Sequence, residues 1–194
     1  MAAPPTANQI KTQLITLLTP VIGTSGTKKA KILDYLPLAY LLAEGEDSSA
    51  LRSPLDITTL TSGSTDQRVN CLMITELGFD QSPPQSDDTR LTTSPRGQNI
   101  TTRRFGLAYV YQFGAGSEAT FSTNVEVIRT TLNSNPKLGF TATDAAGMAG
   151  QGNYIKDHSG LQMPSMLPAP LSGVICHSAE GTLAVRVIEP MEQR

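Results

Sequence analysis

The stretch "TFSTNVEVIRTTLNSNPKLGF", Thr120–Phe140, decides how the rest of the chain is read. Phe121, Val125, Ile128 and Leu132 fall at i, i+4, i+7 and i+11, one apolar stripe along a helix, while Thr123, Glu126, Arg129 and Asn133 share the opposite side. Pro136 and Gly139 stop the helix, and Ser117 in "GAGSE" is the expected N-cap. Such a stripe needs a flat apolar surface to lie on, and the neighbouring segments supply strands.

Upstream, "RRFGLAYVYQF", Arg103–Phe113, alternates Phe105, Leu107, Tyr109, Tyr111 and Phe113 with a period of two, which predicts a strand with its aromatics on one face. "RVNCLMITELGF", Arg68–Phe79, is a short continuous apolar run and reads as a central strand buried on both faces. Between the two lies "DQSPPQSDDTRLTTSPRGQNITT", residues 80–102, with hardly an apolar anchor, which reads as an extended hairpin arm.

At the N-terminus residues 1–7 read as a mobile Pro/Ala arm. Ile10, Leu14, Leu17, Leu18 and Val21 then recur at helical spacing over Asn8–Val21, with Thr6 or Asn8 as the cap. "ILDYLPLAYLLAE" is interrupted by Pro37 and reads as a strand followed by a turn of helix, and a short strand is expected at Ile57–Leu60. Residues 141–170 read as a second long loop. The closing "GVICHSAEGTLAVRVIEP" reads as a hairpin, Val174–Glu189, turning at Ala179, Glu180 and Gly181. The whole is expected to be one α+β domain, residues 1–194: an antiparallel sheet with a helix packed on one face, an N-terminal helix and long loops.

Composition narrows the function. Fifteen basic against 17 acidic residues give a formal net charge of −2, without the basic surplus that a nucleic-acid binder needs. Only 16% of residues are charged, against about a quarter in an ordinary soluble domain, which suits a subunit whose flanks are covered in an assembly. Cys71 and Cys176 lie inside apolar runs and read as small buried hydrophobes. The N-terminal apolar stretch makes a poor signal peptide, and no run reaches the roughly 20 apolar residues that span a bilayer, so the expectation is a protein that is soluble and cytoplasmic when made.

Chemistry-bearing residues are sparse. Only two histidines occur, and "KDHSG" sets Asp157, His158 and Ser159 side by side, where they cannot point at one another as a triad must. Cys176 and His177 are neighbours on a strand and face opposite sides of the sheet. "GTSGTKK", Gly23–Lys29, lacks the spacing of a phosphate loop, and Asn99 begins an Asn-Ile-Thr acceptor that matters only on secretion. No catalytic, cofactor or metal residues are therefore assigned. Asp87 and Asp88, with Arg90, Arg96, Arg103 and Arg104, give the arm and its base a charged side suited to a partner surface, and these six are the candidate interface residues.

The helix and its stop have a counterpart. Glu118, Phe121, Val125, Ile128, Arg129 and Leu132, followed by Asn135, Pro136, Leu138 and Gly139 and by a closing strand pair over Val174–Glu189, resemble the tail-terminator (tail-completion) proteins of long-tailed bacteriophages. The N-terminal helix and the strand pair with its arm stand in the same order. The chain departs from the pattern in a longer stretch from Ile32 to Gln67 and in the loop after Thr141. The resemblance implies a small α+β virion protein without enzymatic activity that forms a ring, commonly a hexamer, on the last ring of the tail tube. There it ends tube polymerisation and offers a surface to the neck or connector protein. A head–tail connector or another tail or baseplate subunit is the alternative within this class. A small hydrolase using His158 or the Cys176–His177 pair, and a ligand-binding module between the Tyr109 and Tyr111 face and the helix, are the alternatives outside it.

Overall fold

The computed structural model describes residues 3–23, 30–36, 61, 68–82, 98–141, 154–171 and 173–190. The first helix, α1 (Ala7–Leu18), opens with a capping box: the Thr6 hydroxyl accepts the Gln9 N–H and the Gln9 side chain accepts the Thr6 N–H. Ile10, Leu14 and Leu18 are buried. Beyond Leu18 the helix widens into a π-helical turn, Thr19–Gly23. That change of pitch breaks the stripe, so Val21, expected in the core, is instead exposed.

Three short strands, β1 (Lys31–Leu33), β4 (Ile155–His158) and β5 (Ser165–Leu171), border three long ones, β2 (Asn70–Ser82), β3 (Gln98–Gln112) and β6 (Val174–Pro190). The order is β1-β2-β3-β6-β4, with β5 also pairing β6. The β1–β2 pair is parallel and the other pairs are antiparallel, so the sheet is mixed. The second helix, α2 (Ser117–Asn133), and α1 both pack on one face of it. This is the α+β layer that the sequence predicts.

The buried run of β2 divides its side chains between two faces. Leu72 and Ile74 join the main core with Phe105, Leu107 and Tyr109 of β3 and the α2 stripe Phe121, Val125, Ile128 and Leu132. Cys71 and Met73 point the other way, into a smaller cluster with Leu33, Val69, Ala108, Val110 and Cys176. Tyr111 packs at the margin of the main core, whereas Phe113 lies just past the strand end and is exposed.

Two expectations are overturned. The closing hairpin is a single strand: β6 stays paired with β3 from Cys176 opposite Gln112 to Pro190 opposite Gln98, straight through Ala179, Glu180 and Gly181. Gly181 does not take the positive φ of a turn glycine. A Cβ there would lie 2.3 Å from the Gln162 carbonyl oxygen, so the glycine makes room for a segment crossing the sheet, with Leu161 and Met163 buried beside it. The chain reverses earlier, at Gly173 (φ 83), with Leu171 opposite Val174.

The long loop expected over residues 141–170 contains β4 and β5. Pro168 and Pro170 obscure β5 in the sequence, but a strand that pairs on one side only tolerates prolines. The arm expected over 80–102 has strand at both ends, since Asp80–Ser82 pair with Ile100–Thr102; residues 83–97 lie outside the described residues, as do Pro37 and the strand expected at Ile57–Leu60.

Candidate functional site

Helix α2 is fastened to the sheet at both ends, and each fastening uses one of the two histidines. At its start the N-cap is Gly116 (φ 70), without a side-chain cap, and Ser117, expected as the cap, is the first helical residue. Its hydroxyl is committed elsewhere: Oγ accepts the Gly114 N–H at 2.9 Å and lies 2.8 Å from His177 Nε2. The His177 ring sits against Phe113 and Phe121, with centroids 5.0 and 5.1 Å away, and Phe121 stacks in turn on Tyr109.

At the other end His158 Nδ1 accepts the Gly160 N–H, which leaves the ring proton on Nε2, 3.0 Å from the Leu132 carbonyl and 3.3 Å from that of Asn135. Leu132 stands in the last turn of the helix and Asn135 just past it, and each carbonyl also accepts a backbone amide of the following turn, from Asn135 and Leu138. Lys137 Nζ ties the segment after the helix to the Ile155 and Lys156 carbonyls.

The arrangement separates the groups that a nucleophilic mechanism would join. Asp157 forms a two-pronged ion pair with Arg186, His158 caps α2, and Ser159 Oγ accepts the Ala184 N–H. The Ser117–His177 distance suits a nucleophile and its base, but among the described residues no carboxylate orients His177, and the Ser117 oxygen already holds the Gly114 amide. A cleft of about 540 Å³ opens beside this joint, lined by Arg68, Tyr111, Phe113, Gly114, Ser117 and Thr120.

Cys176 and His177 do face opposite sides of the sheet, as strand geometry requires: Cys176 in the smaller cluster, His177 under α2. Burial pushes the Cys71 thiol up to about 12, against a smaller opposing pull from Lys31, and the Cys176 thiol up to about 11, so neither is a ready thiolate. The aromatic row is core. Tyr109 is wholly buried, donates to Asn70 Oδ1, accepts from Asn124 Nδ2, and is raised out of its usual range by that burial. Among the described residues no three His, Cys, Asp or Glu side chains gather as a metal-binding group, and no helix is long and apolar enough to cross a membrane.

Of the candidate interface residues, Asp87, Asp88, Arg90 and Arg96 lie outside the described residues. Arg103 and Arg104 do not form one basic side, because consecutive residues of a strand point to opposite faces. Arg103 lies on the helix side, opposite Phe79 of β2, with Nη1 3.6 Å from Glu76 Oε1 and Cζ 6.0 Å from the Phe79 ring centre. Arg104 lies opposite Gly78 on the far face and is exposed.

Sequence reasoning passes over the apolar residues that the fold leaves at the surface. Leu167 of β5 is 88% exposed, and Leu77, Phe79, Phe113 and Ile175 are each more than half exposed. Leu167 lies where the pairing of β5 with β6 is irregular, between Met166 and Ala169. The sequence matches no known family model and no curated protein.

Proposed function

We propose that this chain is a structural virion protein that assembles head to tail into a ring at the head-proximal end of a phage tail, ends tail-tube polymerisation and joins the tail to the neck. The observation that carries the reading is the pair of unlike sheet borders. At one side stands β1, three residues long and paired only with β2 among the described strands; at the other stand β4 and β5, with Leu167 projecting from the latter. A subunit that meets its neighbours through two different flanks makes heterologous contacts, and these close into a ring when the rotation permits. Short and proline-bearing borders also discourage uncontrolled strand addition, as a subunit that must stop at a fixed number requires.

The likeness to tail terminators rests on the α2 stripe and its Asn-Pro-Lys-Leu-Gly stop, and on the order of the first helix and the strand pair. The closing hairpin no longer contributes to it, since β6 is one strand. The partners expected on this reading are further copies of the chain, the tail-tube protein and a neck or connector protein, in the virion and, during assembly, in the host cytoplasm.

The test is functional. Purified protein added to polymerising tail-tube protein is expected to leave short tubes capped at one end, visible by negative stain. Tubes of unchanged length without caps, at a molar excess of the chain, refute the terminator role.

A further inference from the structure

Both helices pack on one face of the sheet, which leaves the other, the side of Cys71 and Met73, without a helix among the described residues. At the centre of that face lies a pit of about 280 Å³. Strand register builds it. Gly106 of β3 stands opposite both Thr75 of β2 and Thr182 of β6, so a residue without a side chain separates two threonines in one row across three strands. In the next row Ala108 stands opposite Glu180 of β6. The floor is therefore low along β3, with Leu36 and Leu77 as apolar wall on one side and Glu180 and Thr182 as polar wall on the other.

Glu180 is the only charged side chain among the described residues that line the pit. It is half-buried, and burial raises its carboxyl above the ordinary value with no neighbouring cation to oppose the shift. A carboxylate drawn part-way out of water without a counter-ion is destabilised, and an arriving cation offsets that cost.

The lining narrows the choice of cation. An ammonium carries three donors and no acceptor, and the pit offers it the Glu180 carboxylate and the hydroxyl oxygens of Thr75 and Thr182. A methylene stem fits against Leu36 and against Leu77, which is 56% exposed. Lysine combines the two, whereas the planar fork of arginine suits paired acceptors better than acceptors on opposite walls. The pit is open to solvent, so a small molecule would leave much of its surface in water, while a protein side chain arrives with neighbours that cover Leu77.

We propose that this pit receives the side chain of a lysine presented by a partner protein, with its ammonium at Glu180 and its stem across Gly106 against Leu77. The site goes beyond the ring reading and stands or falls independently of it.

The test titrates the full chain with the blocked peptide acetyl-Ala-Ala-Lys-Ala-Ala-amide and follows the Leu77 methyl groups and the Thr182 amide by NMR. Saturable shifts with a dissociation constant of about 1 mM are expected. Binding weakens at least about tenfold in Glu180→Gln, which removes the charge at nearly constant shape, and in Gly106→Ala, whose Cβ raises the floor 3.2 Å from Leu77 Cδ2. The same peptide with Nε-acetyl-lysine, which has no charge, is expected not to bind. Wild-type affinity in Glu180→Gln, or equal binding of the acetyl-lysine peptide, overturns the site, as does an absence of shifts at about 20 mM peptide. Tighter binding of n-butylamine than of the peptide overturns the choice of a protein lysine and makes the pit a site for small amines.

Discussion

Replacing Gly181 with Ala tests the most consequential departure from the expected fold. In β6 the added Cβ would stand 2.3 Å from the Gln162 carbonyl oxygen, 2.9 Å from Met163 Cγ and 3.0 Å from Leu161 Cδ1. Side-chain ends can swing aside, but the carbonyl belongs to backbone, so the crossing segment must retreat by about an ångström to restore ordinary contact. Retreat opens space under Leu161 and Met163, both buried. Overpacking of this kind costs about 1–3 kcal/mol, and partial exposure of two apolar side chains, each worth about 1.5–3 kcal/mol when fully buried, brings the expected loss to about 2–4 kcal/mol. With a urea m-value of about 2 kcal/mol/M, the unfolding midpoint falls by about 1–2 M at unchanged m. Gly114→Ala is the control: a Cβ there meets nothing within 4 Å, and its stability stays within about 0.5 kcal/mol of wild type. A Gly181→Ala chain as stable as this control refutes the crossing segment and returns Gly181 to a turn.

Three further outcomes follow from the packing. Neither Cys71 nor Cys176 reacts with a thiol reagent at pH 8 in the native protein, and both react once urea unfolds it; rapid native labelling of either contradicts its burial. Burial raises the Glu180 carboxyl above its ordinary value, so the folded chain holds this proton more tightly than the unfolded one, and stability from this group falls as pH rises through the carboxylate range. Glu180→Gln therefore stabilises the protein at neutral pH and has little effect in acid, and a stability gain of the same size at both pH values contradicts this. Tyr109→Phe removes its hydrogen bonds to Asn70 Oδ1 and from the Asn124 amide and costs about 1–3 kcal/mol by urea unfolding, with no loss if those bonds are absent.

How much of this was legible in the sequence depends on whether the signal was local. The α2 stripe, the alternation of β3 and the two-sided burial of β2 are periodic within a dozen residues, and the fold places all three as expected. Gly181 carries a tertiary meaning in a local disguise: a glycine after Ala-Glu looks like a turn, and only the segment around Gln162, brought over the sheet by the fold, shows that it is a clearance. β5 hides behind two prolines, a pattern that favours loops unless a strand has one free side. The Gly116 cap was masked by Ser117, the commoner capping residue, whose hydroxyl the fold gives to His177.

The candidate interface was legible in part. Arg103 belongs to the candidate interface on sequence grounds, but the alternation of a strand, which separates Cys176 from His177, equally separates Arg103 from Arg104. Phe79 fell at the margin of the expected arm, whose polar composition conceals that β2 continues to Ser82. The pit beside Glu180 has no sequence signal at all, since Thr75, Gly106 and Thr182 meet only through the register of three strands.

The native mass of the purified full chain, by light scattering with negative-stain images of the same sample, decides whether the subunits assemble into the proposed ring. A closed ring of about six copies is expected, with monomer appearing only on dilution. A strictly monomeric chain at every concentration, which tail-tube protein fails to gather into a ring, contradicts it.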